Sequence, residues 1–183
     1  MRNLKSLDIA VRELREEGKA LYTAGSFAKA LVCFNKALGL TWDEESLYWK
    51  GKILSIKSKK NGSKKDAEVA IECFERILRT NPKSKEAWLE LGQLHTRRPL
   101  KLQCYDAAIQ IDPNFAEAIL AKGFTLEKSG KSDKALECFR RAEKLFRAQG
   151  NTINAGAAMD LITRIEARRP QNRPTPAKWG FHI

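Results

Sequence analysis

Apolar residues recur along this chain at steps of three and four positions, in segments separated by short polar stretches. Four segments share one pattern of apolar, cysteine and aromatic residues, namely ALVCFNKAL, AIECFERIL, LKLQCYDAAI and ALECFRRAE. A second shared pattern lies upstream of each, in LREEGKAL, LYWKGKIL, WLELGQLH and ILAKGFTL. Because steps of three and four follow one face of an α-helix, the chain is predicted to be all-α and built from four repeated helix pairs.

Each predicted helix pair carries the same residue types at the same positions. A glycine in the first helix recurs as Gly18, Gly51, Gly92 and Gly123, and an aromatic residue in the second recurs as Phe34, Phe74, Tyr105 and Phe139. Small residues let two helices approach closely. No single pair can bury its apolar face alone, so the pairs are predicted to stack into a solenoid.

This pattern resembles the tetratricopeptide repeat, in which a large apolar residue, Gly, Ala, an aromatic residue, Ala and Pro stand at set positions. The matching stretches are residues 11–43, 44–84, 85–115 and 116–149, which cover most of the chain. The third repeat departs from the motif because Lys101 stands where the motif has Ala. The resemblance implies a right-handed α-α solenoid of four helix pairs, which we assign to residues 1–169.

The C-terminal part of the chain has two predicted segments. Residues 151–169 are predicted to form a helix that caps the solenoid, with Ile153, Ala157, Leu161 and Ile165 covering the last repeat. Residues 170–183 hold three prolines and no helical periodicity, so we expect an extended basic tail in which Trp179 and Phe181 are candidate contact residues. Three interpretations stay open: the tail docks in its own groove, binds another protein, or is a frayed end.

Repeats two and three depart from the common length between their two helices. Repeat two is predicted to carry a long turn in SIKSKKNGSKKD, and repeat three is short at residues 96–101. Pro99 is predicted to start the second helix of repeat three, because proline is tolerated in the first helical turn. A distorted or tilted helix pair is expected there.

The net charge of +12 is concentrated in three segments. Residues 57–65, 97–101 and 168–183 together hold twelve basic residues and no acidic ones, so the rest of the chain is neutral. Equivalent turns of a solenoid lie on one edge, and the first two segments are therefore predicted to form a basic edge: Lys57, Lys59, Lys60, Lys64, Lys65, Arg97, Arg98 and Lys101. Such an edge binds phosphates or an acidic protein face. The alternative is a pair of solvated, lysine-rich loops.

Composition places the chain among folded, soluble proteins. Apolar residues make up 43% and charged residues 31% of it. No apolar run approaches the roughly 20 residues of a membrane span, and the charged N-terminus lacks the apolar core of a signal peptide. We therefore expect a cytoplasmic location.

The cysteines and histidines do not form a recognisable site. Cys33, Cys73, Cys104 and Cys138 occupy the same position of successive repeats, where neighbouring helices lie about 8–10 Å apart. A disulfide needs Cα atoms within about 7 Å, so these cysteines are predicted to be reduced packing residues. His95 is expected in or near the core, and the second histidine lies in the tail. Without a phosphate loop, nucleophile elbow or metal-ligand spacing, we expect no cofactor, no metal and no enzymatic activity.

The resemblance implies a groove lined by the first helix of each repeat. By register, its candidate residues are Arg12, Arg15, Lys19, Tyr22, Tyr48, Lys52, Leu89, Gln93, Leu120 and Phe124, with Glu45, Ser55, Glu86, Arg97, Glu117 and Lys128 at equivalent positions. These residues change from mostly basic in the first repeat to mostly apolar in the fourth. Such a groove suits an amphipathic peptide with one acidic end and one hydrophobic end. The alternative is that Leu89, Leu120 and Phe124 only pack against their neighbours. The family's clamp for C-terminal carboxylates is excluded, because Glu86 and Glu90 stand where it needs cations.

These features predict a non-enzymatic protein–protein interaction adaptor or assembly factor that binds a partner peptide in the groove. Two other functions stay open. One is an RNA- or ribosome-associated factor that acts through the basic edge, with affinity that falls steeply as salt rises. The other is a structural subunit anchored in a larger complex by its tail.

Overall fold

Helices account for almost all of the chain that the computed structural model describes, residues 2–168. In chain order they are α1 Arg2–Thr23, α2 Phe27–Leu40, α3 Glu44–Asn61, α4 Lys64–Thr80, α5 Lys85–Leu94, α6 Arg98–Ile111, α7 Ala116–Glu127, α8 Ser132–Ala148 and α9 Thr152–Arg168. Successive helices pack against each other, and the odd-numbered helices α1, α3, α5 and α7 also touch in series. These four helices therefore share one face of the solenoid. The all-α solenoid of four helix pairs is confirmed.

The glycine and the aromatic residue of each repeat fit together between its two helices. A Cβ atom added at Gly92 would lie 2.6 Å from Cε1 of Tyr105, and one added at Gly123 would lie 2.6 Å from Cε1 of Phe139. The rings are buried, with Phe139 0% exposed. Each ring thus lies directly on the backbone of the facing helix, which only glycine permits at this distance.

The cysteines lie beside these rings and pack as predicted. A Cβ atom added at Gly51 or Gly123 would lie 3.1 Å from Cβ of Cys73 or Cys138, respectively. All four cysteines are free thiols, and three of them are buried. Burial raises the pKa of Cys104 to about 11, so its thiol stays protonated near neutral pH.

The predicted long turn of repeat two is wrong, because its extra residues are helical. Helix α3 continues to Asn61 and α4 begins at Lys64, leaving only Gly62 and Ser63 between them. Gly62 ends α3 with a φ of 70°, a left-handed conformation that glycine adopts at little cost. The Ser63 side chain caps α4 by accepting the Asp66 N–H at 3.1 Å. Because Gly62 ends α3 and Ser63 caps α4, the turn needs only these two residues, and both helices extend to the edge of the solenoid.

Repeat three is compact at the equivalent place. Helix α5 ends at Leu94 after ten residues, whereas α3 has eighteen. Helix α6 begins at Arg98 with Pro99 in its first turn, as predicted. Lys101 is partly buried at the position where the other repeats have the fully buried Ala30, Ala70 and Ala135.

The two ends of the solenoid differ from the prediction. Helix α1 starts at Arg2, upstream of the predicted repeat start at residue 11, because no glycine or proline interrupts the intervening sequence. The predicted face of α9 is partly wrong: Leu161 and Ile165 are buried, but Ala157 is exposed and Ile153 is 84% exposed.

The buried stripe of α9 follows mixed steps of three and four, in Ala155, Ala158, Leu161, Ile162 and Ile165. A strict four-residue step rotates by about 40° each time around an α-helix and drifts off the buried face. The predictions for Trp179 and Phe181 lie outside the described residues.

Candidate functional site

The first section of the predicted groove, on α1 and α3, is occupied by ion pairs within the chain. Nε of Arg15 lies 3.1 Å from Oε2 of Glu45, and Nζ of Lys19 lies 2.6 Å from Oε1 of the same carboxylate. Arg15 also donates to Asp43 at 3.1 Å. Hydrogen bonds to Glu45 and then Glu16 raise the pKa of Lys19. These cations are therefore already neutralised and hold the first two repeats together.

The middle section of the groove is filled by aromatic rings. The ring centroids of Tyr22 and Trp49 lie 4.8 Å apart, and Nζ of Lys52 lies 5.6 Å and 5.4 Å from the ring centroids of Tyr48 and Trp49. Lys52 also pairs with Glu90 at 3.7 Å. Burial, followed by the charges of Glu90 and Glu86, raises the pKa of Tyr48. A recess of about 370 Å³ beside these rings is lined by Glu45 and Glu86 among others, so its mouth is acidic.

A larger cavity of about 820 Å³ lies in the last section, between the α5–α6 turn, α7 and the start of α9. We refer to it as the C-terminal cavity. Leu120 and Phe124 of α7 supply apolar surface to it, and His95 at the end of α5 forms part of the opposite wall. Phe124 is 37% exposed and lies edge-on to Phe139, with ring centroids 5.4 Å apart. The early end of α5 leaves room for this cavity.

Four cations line the same cavity: Lys59, Arg98, Lys101 and Lys128. Glu117 is the one carboxylate among the lining residues that the structure describes. The Lys59 ammonium donates to Oε1 of Gln93 at 3.1 Å. Burial lowers the pKa of Lys101, and the charges of Lys128 and Lys59 lower it further. The C-terminal cavity thus combines an apolar wall with a cationic rim.

The structure separates other predicted residues from this cavity. Arg12 lies at a recess of about 310 Å³ beside Trp42. Leu89 is only 8% exposed and packs with Tyr105, so little of its surface faces the groove. Of the basic edge, Lys57 pairs with Asp66 at 3.3 Å. The remaining members are exposed: Lys60 at the end of α3, Lys64 and Lys65 at the start of α4, and Arg97 just before α6.

Sequence reasoning assigned Lys59, Arg98 and Lys101 to an edge apart from the groove, whereas the structure places them on the wall of the groove's own cavity. It also missed Trp49, which packs between the rings of Tyr22 and Phe34, and Asn154, which lines the cavity from α9. The substitution of Ala by Lys101 was one signal in the sequence that pointed to this place, and the predicted groove residues Leu120 and Phe124 were another.

Comparison with known protein families decides the classification. One tetratricopeptide repeat family model matches residues 64–114, and a second matches residues 104–137. The chain carries tetratricopeptide repeats over residues 64–137. Members of this family are generally non-catalytic scaffolds, and the match supports a role in protein–protein interaction for this chain.

Solved structures of tetratricopeptide repeat proteins share this fold. MamA from Desulfovibrio magneticus RS-1, from residue 41 to its end, is 23% identical with a TM-score of 0.64, covering 76% of this chain and 77% of that one. TTC0263 from Thermus thermophilus is 21% identical with a TM-score of 0.61, covering 86% and 98%. YrrB, described as "a TPR protein with an unusual peptide-binding site", is 21% identical with a TM-score of 0.62, covering 82% and 75%.

One curated relative matches across most of this chain. Outer dynein arm-docking complex subunit 4 from Bos taurus is 26% identical over 188 residues, which is 91% of this chain. The chain spans 22% of the length of that relative. Within the described residues, no helix is both long enough and apolar enough to cross a bilayer.

Proposed function

We propose that this protein is an adaptor or assembly factor that binds a partner peptide in the C-terminal cavity of its groove. The observation that supports this proposal is the pairing of an apolar wall, Leu120 and Phe124, with a cationic rim in one cavity. Its volume of about 820 Å³ falls within the range of roughly 300–1,000 Å³ that is usual for ligand sites.

The chemistry of the cavity favours a peptide with an apolar anchor next to acidic groups. An apolar side chain on Phe124 removes exposed ring surface from water, which is the main source of affinity in such contacts. Acidic groups of the peptide beside this anchor would face Lys101 and Lys128 and be attracted to them. A basic peptide would be repelled by the same cations. The other sections of the groove are less suited to acidic groups, because Arg15, Lys19 and Lys52 are already paired with Glu45 or Glu90.

The test begins with selection of binders from a displayed library of random peptides. The affinity of a selected peptide is then measured by isothermal titration calorimetry for the wild type, Phe124→Glu and Val32→Glu. Val32 is a matched control, because it is 52% exposed on α2, among the even-numbered helices. The Phe124 change places a carboxylate against the apolar anchor and is expected to weaken binding at least about tenfold.

Far-UV circular dichroism checks that all three proteins stay helical. Binding that is unchanged in Phe124→Glu, or reduced equally in Val32→Glu, would contradict the proposed site. Phe124→Ala serves as a second variant, because it removes the ring without adding charge and is expected to weaken binding in the same direction.

A further inference from the structure

Several lysines on the odd-numbered helices are paired with carboxylates from elsewhere in the chain. Lys19 lies 2.6 Å from Glu45, and Lys122 lies 2.6 Å from Asp106. Lys85 shows the same arrangement, 2.6 Å from Asp112. At these three places the positive charge is neutralised by a carboxylate from a neighbouring segment.

The cations of the C-terminal cavity have no such partner among residues 2–168. The Lys59 ammonium contacts a neutral amide oxygen, that of Gln93, at 3.1 Å. The side chains of Arg98, Lys101 and Lys128 make no hydrogen bond or ion pair with the described residues. Glu117, the one carboxylate on the wall, cannot balance four positive charges. The cavity therefore carries an excess of positive charge.

Lys101 shows that this excess is held in place by the fold. Its position belongs to the helix–helix contact of the repeat, where Ala30, Ala70 and Ala135 are fully buried. The aliphatic stem of Lys101 is accordingly partly buried, and its ammonium lies on the cavity wall near Lys59 and Lys128. Like charges held together in a partly desolvated place destabilise the protein unless an anion joins them.

We propose that Lys59, Lys101 and Lys128, together with Arg98, form a subsite for a phosphoryl group on a side chain of the groove-bound peptide. The proposal rests on the proposed function and names the chemistry of its ligand. A phosphoryl group carries nearly two negative charges at neutral pH and three acceptor oxygens. It therefore matches several lysines and the fork of one arginine better than a single carboxylate does.

The surroundings favour a peptide over a nucleic acid. A nucleic-acid backbone needs a positive groove that continues from one phosphate to the next. Here the neighbouring groove cations Lys19 and Lys52 are paired with Glu45 and Glu90, and Glu86 adds negative charge beside them. The four cations of the C-terminal cavity instead lie beside Leu120 and Phe124, which fits one phosphoryl group next to one apolar anchor.

The experiment compares two degenerate peptide libraries that differ only in a fixed central residue, phosphoserine in one and serine in the other. Each library is passed over immobilised wild-type protein and three variants: Lys101→Met, Lys128→Met and Lys36→Met. Methionine keeps the length of the lysine stem, so packing is retained at Lys101. Lys128 is exposed and its change carries little risk to folding, while Lys36 is an exposed lysine on α2 that serves as the matched control.

We expect wild type and Lys36→Met to retain the phosphoserine library in preference to the serine library. Loss of one charge-assisted contact is expected to reduce this preference roughly tenfold in Lys101→Met and in Lys128→Met. Circular dichroism confirms that the variants are folded. A preference that is the same in all four proteins would overturn the subsite.

Other outcomes separate this inference from the proposed function. Phe124→Glu is immobilised in the same way as a further variant. Equal retention of both libraries by the wild type, lost in Phe124→Glu, would leave the peptide groove standing and overturn the phosphoryl subsite. Retention of neither library would overturn both. A uridine oligonucleotide that binds in preference to the phosphoserine library would identify the cluster as a nucleic-acid surface, which also overturns the inference.

Discussion

Replacing Gly123 by alanine tests the contact that sets the distance between α7 and α8. The added methyl group would lie 2.6 Å from Cε1 and 2.8 Å from Cδ1 of Phe139, and 3.1 Å from Cβ of Cys138. Phe139 is fully buried, so its ring cannot move aside without disturbing the core. Overpacking of this kind costs about 1–3 kcal/mol, whereas alanine recovers about 1 kcal/mol of helix propensity over glycine. The expected net loss of stability is about 1 kcal/mol.

The assay is urea unfolding followed by far-UV circular dichroism, with Gly156→Ala as the matched control. Gly156 lies in α9, and a Cβ atom there would meet nothing within 4 Å. Only the propensity gain applies, so Gly156→Ala is expected to stabilise the protein by about 0.5–1 kcal/mol. Stacked repeats do not always unfold in one step, so transition slopes are compared together with midpoints. A midpoint for Gly123→Ala at or above that of the wild type would refute the packing argument.

Three further predictions concern other parts of the solenoid. Asp43→Ala removes the side chain that caps α3 by accepting the Ser46 N–H at 3.0 Å, and it also removes the contact with Arg15. It should lower the free energy of unfolding by about 1 kcal/mol more than Asp43→Asn, which keeps a capping side chain. Equal urea midpoints for the two variants would contradict this. The lowered pKa of Lys101 means that the folded state binds its proton less tightly than the unfolded state, whose pKa is near 10.5. Lys101→Met should therefore be more stable than the wild type at neutral pH. The difference in stability should shrink as the pH rises towards 10.5, where the lysine loses its charge in both states. A difference in urea midpoints that stays constant with pH would show that the lysine charge is not the cause. Burial raises the pKa values of Cys73 and Cys104 to about 11, so both thiols should react slowly with Ellman's reagent at neutral pH until the protein unfolds, and rapid reaction of the native protein would contradict their burial.

The repeat and its core followed from the sequence because they depend on short-range register. Every repeat has a glycine and an aromatic residue equivalent to Gly123 and Phe139. Each such pair forms the close contact between the two helices of its repeat. The start of α6 near Pro99, which lies in its first turn, was also predicted from local sequence, since proline restricts its own backbone. Only the structure showed that the lysine-rich stretch before Gly62 is helical, because lysine and serine are compatible with either a helix or a turn.

The sequence by itself determined the fold class, the four repeats and the candidate residues of the proposed groove. The tertiary structure decided which of those residues are already paired within the chain. Lys19 and Lys101 are both groove or edge lysines in the sequence, yet one is paired with Glu45 and the other lies among unpaired cations. Ion pairing depends on distances between helices that are remote along the chain, and the C-terminal cavity depends on how early α5 ends relative to α7 and α9. Local patterns of hydrophobic and polar residues carry neither quantity.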